Sequence, residues 1–155
     1  MIAVSSTFDG EPASGSFRRW DAQIRFDPKD LARSSARISI DVGSIATGNA
    51  DSEAALPAKG WFWAEKYPKA TFVTRSFKAL GGQRYAAVGD LTIRGVTKPL
   101  TLPFTLAITG DTAKMNAAVD LNRLAFGVGQ DEWKSTDVIP AKVKVTIALT
   151  ARRAK

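Results

Sequence analysis

The chain has 155 residues, 45% hydrophobic and 24% charged, which is one ordinary domain with enough apolar material for a core. It contains no cysteine and no histidine, which excludes disulfides, thiol nucleophiles, thiolate zinc sites, imidazole acid–base chemistry and a Ser-His-Asp triad. The net charge is +7, but Arg152, Arg153 and Lys155 form a short basic tail and the other basic residues are dispersed, so no nucleic-acid-binding block is present.

Met1 is followed by Ser5, Ser6 and Asp9, with no basic start and no apolar stretch of the signal-peptide kind. No run of about 18 apolar residues exists for a membrane helix. Segment 1–8 reads as a strand. Asp9-Gly10, Pro12 and Gly15 read as turn signals. Segment 17–27 (Phe17, Trp20, Ile24, Phe26) is a less regular strand, closed by Asp27-Pro28. Segment 36–46 alternates Ile38, Ile40 and Val42 with Arg37, Ser39 and Asp41.

Residues 48–68 break the alternation. Gly48-Asn49-Ala50-Asp51 looks like a helix start with Asp51 as N-cap, and a short helix is expected near 51–60, limited by Pro57. Trp61-Phe62-Trp63 follows, and Tyr67-Pro68 leads into a strand at 70–78 (Phe72, Val73, Phe77). Period two returns at 84–94 (Tyr85, Leu91, Ile93), 99–110 (Leu100, Leu102, Phe104, Leu106, Ile108) and 114–121 (Met115, Ala117, Val119, Leu121). It closes with 141–151 (Val143, Val145, Ile147, Leu149). Gly81-Gly82, Gly95 and Gly110-Asp111 mark the intervening turns. About eight strands at this spacing fit an antiparallel sandwich or an up-and-down barrel. One domain over 1–155 is expected.

No acid–base pair is evident. Asp131-Glu132, before Trp133, reads as a solvated turn. Gly127-Val128-Gly129 lacks the Gly-Lys-Ser/Thr ending of a phosphate loop. An enzyme is not expected, nor a metal or cofactor. Eight strands can enclose one small ligand, or their side chains can fill the middle. Both remain open on pattern alone. The interior set is expected to include Ile38, Ile40, Phe72, Leu91, Ile93, Leu102, Phe104, Leu106, Val145 and Ile147. In the aromatic cluster, Phe62 is expected to anchor inward, with Trp61 and Trp63 at the mouth.

Residues 89–100, Gly-Asp-Leu-Thr-Ile-Arg-Gly-Val-Thr-Lys-Pro-Leu, resemble the characteristic hairpin of the YceI-like family. Gly15-Ser16-Phe17, Ile24 to Pro28, Ser44 to Gly48, Trp61-Phe62, Tyr67-Pro68 to Phe72, and Arg123 with Phe126 to Gly129 fit the same family in order. The resemblance implies an eight-stranded antiparallel lipocalin-like barrel with a short helical insertion after the third strand. It implies an apolar tunnel for an isoprenoid chain, such as a quinone tail or polyprenyl phosphate, and a periplasmic or secreted location. It supplies no catalytic residues.

Two departures stand out. The first strand begins where family strands are already under way, so its first half reads as truncated. The family's helix arginine is absent, leaving Lys59, Arg94 or Arg123 to position a ligand head group. The competing reading is a filled barrel docking on a membrane redox partner such as a di-haem cytochrome. The oligomeric state stays open, a dimer included.

Overall fold

The alternating segments become strands because one face of each is apolar and the other is Thr, Lys, Arg or Asp. A computed structural model describes residues 2–8, 10–58, 61–128 and 141–152. Asp9, Lys59, Gly129, Asp131, Glu132, Trp133, Arg153 and Lys155, all named above, lie outside these residues.

The strands are β1 (Ile2–Phe8), β2 (Glu11–Phe17), β3 (Trp20–Arg25), β4 (Ser35–Asp41) and β5 (Ile45–Ala46), then β6 (Lys69–Gly81), β7 (Arg84–Ile93), β8 (Val96–Thr109), β9 (Thr112–Asn122) and β10 (Lys142–Arg152). A single sheet joins them in the order β3-β4-β6-β7-β8-β9-β10-β1-β2-β5. All the pairings are antiparallel. One short helix, α1 (Ala50–Ala55), follows β5.

The described residues hold ten strands where eight were expected. Residues 11–16, read as a turn region, form β2. Pro12 is tolerated there because it sits next to the hairpin turn, paired with Thr7. At Gly15, a Cβ would lie 3.1 Å from the Thr47 methyl and 3.3 Å from the Ile45 side chain, so glycine lets β5 approach closely. The second difference is that segment 36–46 divides into β4 and β5 around a 3-10 turn at Val42–Ser44.

That turn is tied to the neighbouring break between β2 and β3. The buried Ser44 hydroxyl accepts from Arg19 N–H at 3.0 Å and donates to the Asp41 carbonyl at 2.6 Å. The Asp41 carboxylate accepts from Arg19 Nε at 2.9 Å and from Gly43 N–H at 3.1 Å. The Arg19 hydrogen bond, above all, holds the Asp41 carboxyl below its ordinary range.

Across the same break, Arg18 N–H donates to the Ser44 carbonyl at 3.1 Å and Asp41 N–H to the Arg19 carbonyl at 3.0 Å. These bonds continue the ladder between the pairs Phe17–Ile45 and Trp20–Ile40. β2 therefore runs into β3 alongside β4 running into β5, and the sheet curls into a β-barrel.

α1 starts at Ala50, so Asp51 lies inside the helix and is not its N-cap. The start is held instead by Glu53, whose Oε1 accepts from Thr47 N–H at 2.9 Å and Gly48 N–H at 3.3 Å. These backbone hydrogen bonds lower the Glu53 pKa from the ordinary glutamate value.

In β6 the register shifts between Thr74 and Ser76, which lets Phe72 and Phe77, five residues apart, both pack inward. Opposite the bulge is Gly89, where a Cβ would collide with the Val73 carbonyl oxygen.

One end of the barrel is filled by aromatic rings. Phe26 makes edge contacts with Phe77, Tyr85 and Phe104 at centroid distances of 5.1, 5.2 and 5.8 Å. Tyr85 stacks on Phe104 at 5.7 Å. This plug lies toward the β6–β7 and β8–β9 hairpins and leaves the other half of the interior to a different use.

Candidate functional site

Above the aromatic plug the barrel encloses a cavity of about 1120 Å³. Its wall is a continuous apolar surface contributed by most strands: Ile2 and Val4 of β1, Phe17 of β2, Ile38 and Ile40 of β4, Ala70 and Phe72 of β6. Leu91 and Ile93 of β7, Leu100 and Leu102 of β8, Val119 and Leu121 of β9, and Val143, Val145 and Ile147 of β10 complete it. Alternation explains the selection, since each strand offers every second side chain to the interior.

The cavity's polar lining is gathered at one end. Ser5, Ser6, Glu11 and Ser14 come from the β1–β2 hairpin, Thr47 and Asn49 from the turn before α1, and Arg123 from the end of β9. Leu56, Trp61, Phe62, Phe126 and Val128 cover that end with apolar surface.

Of the expected interior residues, Ile38, Ile40, Phe72, Leu91, Ile93, Leu102, Val145 and Ile147 line the cavity. Phe104 and Leu106 do not. Phe104 belongs to the aromatic plug, and Leu106 lies beyond it, paired with Met115. They share a face with Leu102, but the rings of Phe26, Phe77 and Tyr85 occupy the interior at their level.

The aromatic cluster departs further from expectation. Trp61 is not on an exposed rim. It is 7% exposed and belongs to the core, yet it borders the cavity. Phe62 also borders the cavity but is only half-buried, with an edge contact to Phe17 at 6.1 Å. Residues 61–62 lie in a turn, with Trp61 N–H bonded to the Ala58 carbonyl at 3.0 Å and Phe62 N–H to the Leu56 carbonyl at 2.9 Å. Outside a strand the two-residue alternation has no force.

Trp63 does not line the cavity. It takes a left-handed backbone (φ 53°) and packs against Tyr67 at 5.7 Å, with Lys66 Nζ 4.8 Å and Arg94 Cζ 5.3 Å from its ring.

Among the described residues Arg123 is the only basic residue in the cavity lining. It is 5% exposed, its guanidinium carbon lies 5.3 Å from the Trp61 ring, and its Nη1 donates to the Val128 carbonyl at 3.0 Å. Burial lowers its pKa from the ordinary arginine value, though the group remains a cation. The signal was available: Met115, Ala117, Val119 and Leu121 alternate inward, and Arg123 is the next position in that phase. Of the three cations considered for a head group, Arg123 lines the cavity and Arg94 packs on Trp63.

Chemically the site is a container. Among the described residues no group of three or more His, Cys, Asp or Glu is placed to hold a metal. Among the described residues Glu11 is the one carboxylate in the lining. A large apolar hollow with a few polar groups at one end suits a long apolar ligand with a small polar terminus.

A family model for the YceI-like domain matches residues 3–151. The chain belongs to the YceI-like family. A UPF0312 protein of Photorhabdus laumondii is 36% identical over 119 residues, covering 77% of this chain. The chain spans about half that relative's length, 52%. The crystal structure of Burkholderia cenocepacia BcnA superposes with a TM-score of 0.94 at 35% identity, covering 97% of this chain and 94% of that one. A polyisoprenoid binding domain from Saccharophagus degradans, implicated in plant cell wall breakdown, has the same fold, with a TM-score of 0.77 at 14% identity over 99% and 93% of the two chains.

Proposed function

We propose that this YceI-like barrel binds an isoprenoid lipid, holding a quinone or polyprenyl tail in its cavity and carrying it as a non-catalytic carrier. The observation that carries the reading is the continuous apolar cavity of about 1120 Å³ inside the strands. Each methylene moved there from water gains about 0.8 kcal/mol, so a long tail needs few polar contacts. The gathering of Ser, Thr, Asn, Glu11 and Arg123 at one end gives the ligand a direction, with its polar terminus there and its tail toward the aromatic plug. The fold shared with the Saccharophagus polyisoprenoid binding domain supports the same ligand class. The family resemblance supports a periplasmic or secreted location.

The test is organic extraction of protein purified from a bacterial host, followed by mass spectrometry. An isoprenoid lipid in near-stoichiometric amount is expected. Repeatedly empty extracts, together with failure to take up added polyprenol, would refute carriage and favour a barrel that docks on a membrane redox partner.

A further inference from the structure

The barrel wall has an opening between β3 and the end of β10. β1 lies between β2 and β10, and its ladder with β10 starts at Ile2–Ile147, while β10 runs on to Arg152. On the other side of β1, β3 carries β2 onward. It pairs with β4 along one edge, and among the described residues no strand pairs with its other edge. Two edges therefore flank the line along which β1 points.

Two independent observations show what this opening lacks. The first concerns the backbone. Asp41 N–H donates to the Arg19 carbonyl in register with the pair Trp20–Ile40, so along β3 Asp21, Gln23 and Arg25 turn their N–H and C=O groups to β4. Trp20, Ala22 and Ile24 turn theirs into the opening. On the opposite edge, Arg123 N–H donates to the Ala141 carbonyl in register with the pair Asn122–Lys142. By the same alternation Leu149 bonds to β9 and Thr150 turns its N–H and C=O into the opening. The second observation concerns side chains. Trp20 and Ile24 stand opposite Ile40 and Ala36, in phase with the cavity-lining Ile38, yet they are 36% and 42% exposed. An inward-facing residue of a closed barrel is covered by strands on both sides, and here one of the two is missing.

We propose that this opening takes an extended segment of another polypeptide as a further strand, antiparallel to both edges, with apolar side chains opposite Trp20, Ala22 and Ile24. Such a strand turns the backbone groups of its apolar residues to β3 and those of the residues between them to Thr150, so both edges are satisfied in one register. A lipid tail would cover Trp20 and Ile24 but leave the backbone groups of both edges unpaired. The described strands already hold places in the sheet, so the segment is supplied by a second protein. The proposal does not depend on what the cavity holds.

The experiment is amide hydrogen exchange, followed by NMR on the full chain, with the capped peptide Glu-Val-Thr-Val-Thr-Val-Lys as the probe. Without peptide, the amides of Trp20, Ala22, Ile24 and Thr150 should exchange fast, while those of Asp21 and Gln23 are protected. Saturating peptide should slow the first set by about tenfold or more. The same peptide N-methylated at its valines has no donors for β3 and should bind about tenfold more weakly. Ile24→Asp places a charge opposite an apolar residue of the added strand and should also weaken binding about tenfold. Gln23→Asp adds the same charge on the outer face and should leave binding nearly unchanged. The N-methyl comparison needs no substitution in the protein, so it stands even where Ile24→Asp fails to fold. Extracted lipid should be the same with and without peptide, which separates this result from the fate of the carrier reading.

Four results would each overturn the proposal. One is exchange that the peptide leaves unchanged. Another is equal binding of the N-methylated peptide, which means apolar adsorption and not strand pairing. The third is protection of these amides without peptide, which means that the opening is already filled, by copies pairing edge to edge where protection rises with protein concentration. The last is polyprenol alone giving the same protection, which means a passage for lipid.

Discussion

Replacing Trp61 with alanine tests how the cavity roof is held. Deleting a fully buried aromatic side chain costs about 3–5 kcal/mol. Trp61 borders the cavity on one side, where its removal deletes no protein contact, so the packing loss falls near the lower bound, about 3 kcal/mol. The buried Arg123 guanidinium also loses the ring 5.3 Å away, which adds about 0.5–2 kcal/mol. The total stays at about 3–5 kcal/mol. In a chain of this size that lowers the melting temperature by roughly 6–20 °C.

Phe62→Ala should cost less, about 2 kcal/mol, because the ring is half-buried and its aromatic contact is a single edge contact with Phe17. The assay is urea unfolding of delipidated protein followed by far-ultraviolet circular dichroism. Delipidation matters because a bound ligand adds its own stabilisation. A Phe62→Ala loss larger than that of Trp61→Ala, or a Trp61→Ala protein within about 1 kcal/mol of wild type, would refute this assignment of roles.

Phe104→Ala removes a buried ring from the aromatic plug and should cost about 3–5 kcal/mol. It also deepens the cavity, so extracted lipid should shift toward longer tails; an unchanged length distribution would show that the plug does not set the depth. For Glu53, hydrogen bonds in the folded state depress the carboxyl pKa, so its stabilisation is present above the ordinary glutamate range and is lost as pH falls through the lowered value. A carboxyl-detected NMR titration should place Glu53 below free glutamate, and Glu53→Gln should flatten the acid limb of the stability curve. A Glu53 that titrates at or above the ordinary value would contradict its role at the start of α1.

Much of the wall of the cavity was legible because a half-buried strand writes itself in period two. Leu100, Leu102, Val143, Val145 and Ile147 need no more than that rule to face inward. The misses occur where the rule stops. The bulge after Thr74 changes the phase of β6, so Phe72 and Phe77 share a side that alternation denies them. The Ser44 hydroxyl bonds divide one expected strand into β4 and β5. Pro12 and Gly15 suggested a turn, but one sits beside a hairpin and the other gives room for Thr47 and Ile45.

Phe104 is interior as expected, but it fills the barrel instead of lining the cavity. Its inward direction is written locally, but the rings that fill the interior at its height come from Phe26, Phe77 and Tyr85. Likewise Trp61 and Phe62 belong to a turn whose geometry is set by backbone bonds to Ala58 and Leu56. Those contacts depend on tertiary packing, which neighbouring residues in sequence do not encode.

The occupancy of the cavity is most directly read by NMR of methyl-labelled, delipidated protein titrated with a polyprenol. Intermolecular contacts should reach the methyl groups of Ile38, Ile40, Leu91, Ile93, Leu102 and Val145, while Leu106 and Ile108, beyond the aromatic plug, stay silent. Contacts confined to the outer wall, or none while the polyprenol remains soluble, would contradict an internal lipid site.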